Sequence, residues 1–166
     1  MSRRNVSTLA PAMNFIGGQW VPDEDGITME SRNPADARDL VGAFPRSRAS
    51  EVSRAVAAAQ AAFPAWSRVP APQRGALLRR CAEVLTERKE AIARLMTREM
   101  GKPLVEARGD VQEAIDCANF YAGEGRRLYG ETTPSELPDK HCMTLRLPVG
   151  VCGIITPWNF PVAVPS

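Results

Sequence analysis

The sequence predicts an α/β fold, and three patterns carry that prediction. An apolar run at residues 149–155 is bounded by glycines and prolines, which is typical of a strand buried on both faces of a sheet. Apolar residues recur at three- and four-residue spacing over 50–66 and 72–100, which predicts two amphipathic helices. Two short apolar runs within 15–21 are joined by a Gly-Gly pair, which is a hairpin signal. The predicted strand ends at Thr156-Pro157, in a loop of the kind where open α/β sheets bind ligands.

The composition is typical of a globular protein and limits the kinds of partner that the chain is expected to bind. Hydrophobic residues make up 44% and charged residues 24% of the 166 residues, so the chain can bury a core. The 21 basic and 19 acidic residues are well mixed and leave a net charge of +2, which argues against a nucleic-acid partner. No apolar run approaches the roughly 18 residues that would span a membrane. Residues 1–13 lack the apolar core of a signal peptide, so we expect a disordered tail and a cytoplasmic protein.

The cysteines and the single histidine are not spaced like a metal site. The four thiols are those of Cys81, Cys117, Cys142 and Cys152. They show no CxxC pairing, and without a secretion signal they are predicted to be reduced. Cys152 could be a nucleophile, but its place in the apolar run favours a buried, unreactive thiol. His141 adjoins Cys142, yet two ligands do not complete a zinc site, so we predict no metal and a solvent-facing histidine.

The N-terminal half is predicted to contain a second strand pair and a helix. Strands at about 28–32 and 40–44 flank an Asn-Pro-Ala-Asp turn at 33–36. The helix at 50–66 is predicted to place five apolar residues on one face. They are Val52, Val56, Ala59, Phe63 and Trp66.

Two longer helices are predicted to follow. The first covers about 72–100 and ends at Gly101, a left-handed cap, with Pro103 just beyond. Its apolar stripe is Leu78, Cys81, Leu85, Ile92, Leu95 and Met96. The second starts near Pro103 and runs to about Tyr129, where Gly130 ends it. Its inward residues are predicted to be Leu104, Val111, Ile115, Ala118 and Ala122.

Residues 130–147 are predicted to form a two-stranded ribbon. Strands at 130–135 and 142–147 are joined by a polar loop. A two-stranded ribbon is marginal alone in water. The ribbon is therefore expected to pack either on another subunit or on a local helix.

Several motifs, in the same order along the chain, resemble one family. They are Phe15-Ile16-Gly17-Gly18-Gln19-Trp20, Asn33-Pro34-Ala35, Arg98-Glu99-Met100-Gly101-Lys102-Pro103, Tyr129-Gly130-Glu131 and Pro148 to Pro161. Over about residues 15–166 the chain resembles the N-terminal third of an aldehyde dehydrogenase of the NAD(P)-dependent superfamily. Met100 and the Ala-Gly-Glu-Gly run at 122–125 are similar to the branch that oxidises 2-oxoglutarate semialdehyde (2,5-dioxopentanoate).

The resemblance implies how the chain is divided. Residues 14–129 would be the N-terminal strands and helices of the cofactor-binding domain, and 130–147 the oligomerisation ribbon of a homodimer or homotetramer. Residues 148–166 would start the Rossmann-like cofactor domain, with its first strand at 151–155. The fold class so implied is the α/β N-terminal part of an aldehyde dehydrogenase.

The resemblance also assigns candidate site residues. Ile155, Thr156, Pro157 and Trp158 would line the groove for NAD or NADP. Asn159 would donate its side-chain amide to the oxyanion hole, where a fixed N–H stabilises the charge formed when a thiolate attacks a small aldehyde. The alternative for Asn159, from spacing alone, is a turn residue that caps the next helix.

The resemblance places the catalytic cysteine, the general-base glutamate and the glycine-rich cofactor turn beyond Ser166. The chain is therefore expected to be truncated, and inactive by itself as an oxidoreductase. One alternative is a non-catalytic module that associates with full-length subunits through its helices and ribbon. Another is a nucleotide binder without oxidative chemistry, which is disfavoured because one strand without a phosphate-binding turn offers few donors.

Overall fold

The computed structural model describes residues 12–166 and contains nine regular elements in that range. The strands are β1 (Asn14–Ile16), β2 (Gln19–Val21), β3 (Thr28–Asn33), β4 (Asp36–Pro45), β5 (Thr132–Pro134) and β6 (His141–Met143). The helices are α1 (Ala49–Trp66), α2 (Ala71–Met100) and α3 (Leu104–Glu124). Most of the predicted tail, residues 1–11, lies outside the described residues. Ala12 donates its backbone N–H to the Ala43 carbonyl at 2.7 Å.

The elements form two compact units. Of the described residues, one unit contains 12–62 together with Ala91–Ala107, and the other contains Phe63–Glu90 and Arg108–Ser166. The strands pair only with their sequence neighbours, as three antiparallel two-stranded sheets within the described residues.

Both N-terminal strand pairs form where the sequence predicts them, but β4 begins at Asp36 rather than at about residue 40. In β1–β2, Gly17 and Gly18 have φ values of 61° and 81°, the left-handed backbone that a two-residue hairpin turn needs. In β3–β4, Asn33 pairs with Asp36 across the tight turn, and the register shifts twice between Ser31 and Asn33. Such shifts bend an antiparallel ladder locally.

Helix α1 confirms the predicted element but not its predicted buried face. Glu51 is 3% exposed, and its Oε2 accepts the backbone N–H of Arg48 at 2.8 Å, which satisfies a donor at the helix start. Most of the predicted apolar face is exposed: Val52, Val56, Ala59 and Trp66. The helix instead turns small residues inward, with Ala55 and Ala58 partly buried.

Helices α2 and α3 pack through small residues rather than through the predicted leucine stripe. In the unit that contains 63–90 and 108–166, the buried apolar side chains are Ala82, Val111, Ala114, Ile115, Ala118 and Ala163. A Cβ at Gly75 of α2 would lie 2.2 Å from the Ala122 carbonyl oxygen of α3. The stripe residues Leu78 and Leu95 are exposed, whereas Met96 is buried.

A glycine also follows the last residue of each of these two helices. Helix α2 ends as predicted, because Gly101 has φ 77° and donates its N–H to the Thr97 carbonyl at 3.0 Å. Helix α3 ends at Glu124, several residues before the predicted Tyr129. A Cβ at Gly125 would lie 2.4 Å from the Ala71 carbonyl oxygen, so the chain leaves the helix where it passes against the start of α2.

The ribbon forms at the predicted place but with shorter strands. Thr132 pairs with Met143, and the ladder is extended by the Thr144 N–H, which bonds the Glu131 carbonyl at 2.9 Å. Every residue of β5 and β6 is exposed.

The predicted buried strand at 149–155, and with it the Rossmann-like first strand at 151–155, is not a strand in this structure. The segment is irregular, and Val149 is 90% exposed. A parallel strand is stabilised by ladder bonds to strands on either side. Among residues 12–166 no strand pairs with this segment, so its apolar side chains face solvent. The mixed helix and strand content otherwise agrees with the predicted class.

Across residues 12–166, the helices lack the combination of length and apolar content needed to cross a membrane.

Candidate functional site

The candidate site lies in an exposed loop that leads into a helical turn. Ile155 is fully exposed and Trp158 is 84% exposed. Thr156 is partly buried, and Pro157 and Asn159 are exposed. The five predicted residues therefore stand together through sequence adjacency, along one accessible stretch of backbone.

The turn after Asn159 has helical hydrogen bonding. The Val164 N–H bonds the Phe160 carbonyl and the Ser166 N–H bonds the Val162 carbonyl, each at 3.3 Å. The Ser166 Oγ donates to the Ala163 carbonyl at 2.7 Å. These bonds give the segment from Phe160 onwards a defined conformation, and Asn159 immediately precedes it.

Asp110, which joins this turn to α3, was not among the predicted site residues. Asp110 is 1% exposed, and its Oδ1 accepts the backbone N–H of Ala163 at 2.8 Å. It lies on the buried face of α3 with Ala107, Val111 and Ala114. A carboxylate among apolar neighbours at three- and four-residue spacing was a signal in the sequence, because buried charge is costly unless it has partners.

Cys152 and His141 are both exposed to solvent. Cys152 is exposed, with its Sγ 3.8 Å from the Gly150 carbonyl oxygen. The prediction that Cys152 is buried in a strand is therefore wrong, because the segment does not form a strand. That the thiol is unreactive stays a prediction. His141 is exposed in β6, as predicted. The described part of the chain brings together no group of three or more His, Cys, Asp or Glu side chains that could hold a metal ion.

Away from the candidate site, the pKa of the Asp39 carboxylate is lowered by an ion pair with Arg98. Arg98 donates to Asp39 through Nε to Oδ2 at 2.7 Å and through Nη2 to Oδ1 at 2.5 Å. Hydrogen bonds from Arg98 and then Asn33 lower the pKa of Asp39 to about 2. Arg98 also bonds the Leu40 carbonyl at 2.9 Å, so the pair ties the end of α2 to β4.

The loop residues offer the apolar surface that a nucleotide cofactor needs. Ile155, Pro157 and Trp158 present accessible apolar surface beside the partly buried Thr156, and planar cofactor rings are held by such surface with a few polar groups. These residues could therefore form one wall of a cofactor groove.

The comparison with known proteins identifies the class. The chain matches the aldehyde dehydrogenase family over residues 20–166. It belongs to that family.

Several individual proteins of this family are similar to the chain in sequence and in structure. The alpha-ketoglutaric semialdehyde dehydrogenase of Bacillus subtilis is 45% identical over 153 residues, covering 92% of this chain and 31% of the relative. The NADP(+) succinate-semialdehyde dehydrogenase of Escherichia coli is 39% identical over 160 residues, covering 96% of this chain and 33% of the relative. The structure of an NAD-dependent aldehyde dehydrogenase from Sinorhizobium meliloti superimposes with a TM-score of 0.88 at 36% identity, covering 93% of this chain and 31% of that one. The chain thus spans about a third of the length of these proteins.

Proposed function

We propose that the protein of which this chain forms the N-terminal portion oxidises an aldehyde to a carboxylic acid with NAD or NADP. The observation that carries the proposal is the family match, which includes the Pro157–Pro161 segment. The names of the Bacillus subtilis and Escherichia coli relatives favour a semialdehyde substrate, an aldehyde that carries a carboxylate. Within that class we propose 2-oxoglutarate semialdehyde first, since the 45% identical relative is named for it.

The proposed role of Asn159 is to stabilise negative charge. When a thiolate attacks the aldehyde carbon, the carbonyl oxygen becomes an oxyanion. A side-chain amide held nearby donates an N–H to that oxygen, and one such donor commonly contributes about 3–4 kcal/mol to the transition state. Asn159 is exposed, which supports its access to a substrate. Its place directly before the helical turn supports a fixed orientation.

The proposed cofactor wall is formed by Ile155, Thr156, Pro157 and Trp158. When bound, NAD or NADP supplies the hydride acceptor for the oxidation. The apolar side chains of the wall would orient the cofactor and exclude water, with Trp158 as a surface rather than a reacting group. Relatives named for NADP and for NAD both exist, so the proposal covers the two cofactors.

The catalytic thiolate and the general base are proposed to come from sequence that follows Ser166. In the described residues the cysteines are dispersed over α2, α3, β6 and the irregular segment at 149–155. The 166-residue chain alone is accordingly proposed to have no dehydrogenase activity.

The ribbon at 130–147 is proposed to pair with another subunit of a homodimer or homotetramer in the cytoplasm. Its support is that every residue of β5 and β6 is exposed, because an isolated two-stranded ribbon gains little stability in water. Analytical ultracentrifugation of the longer protein, with residues 132–143 replaced by a short glycine linker, would show loss of assembly if the ribbon mediates it.

The test of the function is to extend the reading frame beyond Ser166, express both lengths, and follow aldehyde-dependent formation of NADH and NADPH. We expect the longer protein to turn over a semialdehyde and the 166-residue chain to be inactive. Asn159→Ala should lower kcat of the longer protein by about two orders of magnitude, because one oxyanion donor is lost.

The matched control is Asn119→Ala, which truncates an exposed asparagine on α3. It should leave kcat within about twofold, as is usual for exposed positions. Full activity of Asn159→Ala would remove Asn159 from the oxyanion hole. An inactive long protein, or a reading frame that ends at Ser166, would favour the non-catalytic module that associates with full-length subunits.

A further inference from the structure

Asp110 is a charged group in a place that favours apolar side chains. It is 1% exposed and shares the inward face of α3 with Val111 and Ala114, which are both fully buried. A carboxylate there is stable only when hydrogen bonds replace its water. One such bond is that from the Ala163 N–H, at 2.8 Å.

This bond joins two segments that are distant in sequence. The donor, Ala163, lies in the first turn of the helical segment whose own bonds run from the Val164 N–H to the Phe160 carbonyl and from the Ser166 N–H to the Val162 carbonyl. An N–H in the first turn of a helical segment has no partner within that segment, so a carboxylate from outside can satisfy it. Asp110 therefore holds the start of the turn against α3, and Asn159 is the residue that leads into that turn.

We propose that Asp110 is a positioning residue for Asn159: by accepting the Ala163 N–H, it fixes the turn and thereby the orientation of the Asn159 amide toward the oxyanion. The proposal rests on the proposed oxidation of an aldehyde. Oxyanion stabilisation depends on pre-organised donors, and a misplacement of about 1 Å can cost roughly a hundredfold in rate. A rigid buried anchor on a long helix supplies that order more precisely than a loop alone can.

The test uses the full-length protein and variants at Asp110. Asp110→Leu removes the acceptor and fills the space with an apolar group, and it should lower kcat by about tenfold or more. Asp110→Asn keeps an acceptor oxygen without the charge and should retain more activity than Asp110→Leu. The control, Asp116→Asn, changes an exposed carboxylate on the same helix whose Oδ1 accepts from Gln112 at 2.9 Å. Its kcat should match the parent.

A double-mutant cycle separates positioning from general destabilisation. If Asp110 acts through Asn159, then Asp110→Leu in an Asn159→Ala background should lower kcat by less than about twofold, because the group being positioned is already gone. Losses that multiply would overturn the proposal, as would an Asp110→Leu variant with parental kcat.

A second variant covers the case in which Asp110→Leu does not fold. Replacing Ala163 by lactic acid through nonsense suppression exchanges its N–H for an ester oxygen and leaves both side chains in place. This protein should show the same fall in kcat and the same cycle with Asn159→Ala, and parental activity would overturn the proposal.

The anchor can also be measured without turnover. In hydrogen exchange the Ala163 amide should be protected in the parent and faster in Asp110→Asn, whereas Asp116→Asn should leave it unchanged. An inactive parent that shows this pattern would contradict the proposed function while confirming the anchor. Rapid exchange of the Ala163 amide in an active parent would contradict the anchor alone.

Discussion

At the scale of single residues, buried polar atoms are the sites where one substitution has the clearest expected effect. The Thr97 hydroxyl near the end of α2 is buried, and among the described residues it has no hydrogen-bond partner. A buried hydroxyl without a partner loses its hydration and gains nothing in return. Thr97→Val keeps the shape and removes the polar atom, so we expect the free energy of unfolding to rise by about 1 kcal/mol.

Urea unfolding followed by circular dichroism would measure this difference. Thr86→Val is the matched control, since the Thr86 Oγ1 donates to the Ala82 carbonyl at 2.8 Å on the same helix. That change removes a satisfied hydroxyl and should not stabilise. A destabilised Thr97→Val protein would mean that the hydroxyl has a partner in solution, such as a buried water.

Single residues also show where sequence reasoning succeeds and where it fails. Gly17, Gly18 and Gly101 were predictable because positive φ is a local requirement that glycine meets at low cost. Asp110 was missed because its partner, Ala163, is 53 residues away. The sequence marks Asp110 as a charge on an apolar helix face but does not show which backbone group it meets.

At the scale of elements, the crossing of α2 and α3 depends on glycine. A Cβ at Gly75 would lie 2.2 Å from the Ala122 carbonyl oxygen, which is backbone and cannot rotate away. We therefore expect Gly75→Ala to lower the free energy of unfolding by about 1–3 kcal/mol, since the two helices must separate. The higher helix propensity of alanine offsets only part of this, by about 1 kcal/mol.

Gly109→Ala is the matched control within α3. No heavy atom lies within 4 Å of a Cβ built at Gly109, so only the helix propensity changes and the protein should gain about 0.5–1 kcal/mol. Thermal unfolding of the two variants beside the parent would give melting temperatures that move in opposite directions. If Gly75→Ala is as stable as Gly109→Ala, the helices do not cross this closely in solution.

The position and length of a helix or strand could be predicted where they depend on the local sequence, but its packing partners could not. The periodicity of α2 predicted its length, but the leucine stripe did not predict the packing, because small residues let the helices approach more closely. The segment at 149–155 reads as a buried strand, yet a strand needs neighbours that ladder with it. The described residues provide none, so the apolar pattern alone does not make this segment a strand.

At the scale of the whole molecule, two observations stand together: large apolar side chains are exposed, and the chain is much shorter than its relatives. Trp66 on α1, Leu95 on α2, and Ile154 and Ile155 near the candidate site are all exposed. The curated relatives are about three times as long as this chain, which covers 31% of the Bacillus subtilis protein. The sequence patterns therefore predict a more buried chain than the described residues show.

The response of the molecule to acid is predicted by three carboxylates whose pKa values lie below their ordinary range. Hydrogen bonds from Arg98 hold the pKa of Asp39 at about 2. The Arg54 and Ser50 side chains lower the pKa of Glu24. Arg38 lowers that of Asp36. All three belong to the unit that contains the chain up to Ala62 and Ala91–Ala107.

A carboxylate with a lowered folded-state pKa stabilises the fold above its unfolded pKa, near 4, and that contribution disappears as the pH falls through the folded value. For Asp39 the loss should therefore extend down to about pH 2. We expect the urea midpoint to fall between pH 5 and pH 2, with Asp39→Asn showing a shallower fall than the parent. Asn119→Ala, which changes an exposed side chain that does not titrate, should follow the parental curve.

Hydrogen exchange would locate the effect. Because Arg98 at the end of α2 bonds both the Asp39 carboxylate and the Leu40 carbonyl, protonation of Asp39 should weaken the link between α2 and β4 and leave only the bond to the carbonyl. The amides of the β3–β4 ladder should then lose protection as the pH approaches 2, after correction for the intrinsic exchange rate. If the three proteins have parallel urea curves and the ladder amides stay protected, the Asp39–Arg98 pair does not contribute to stability, as is common for exposed ion pairs.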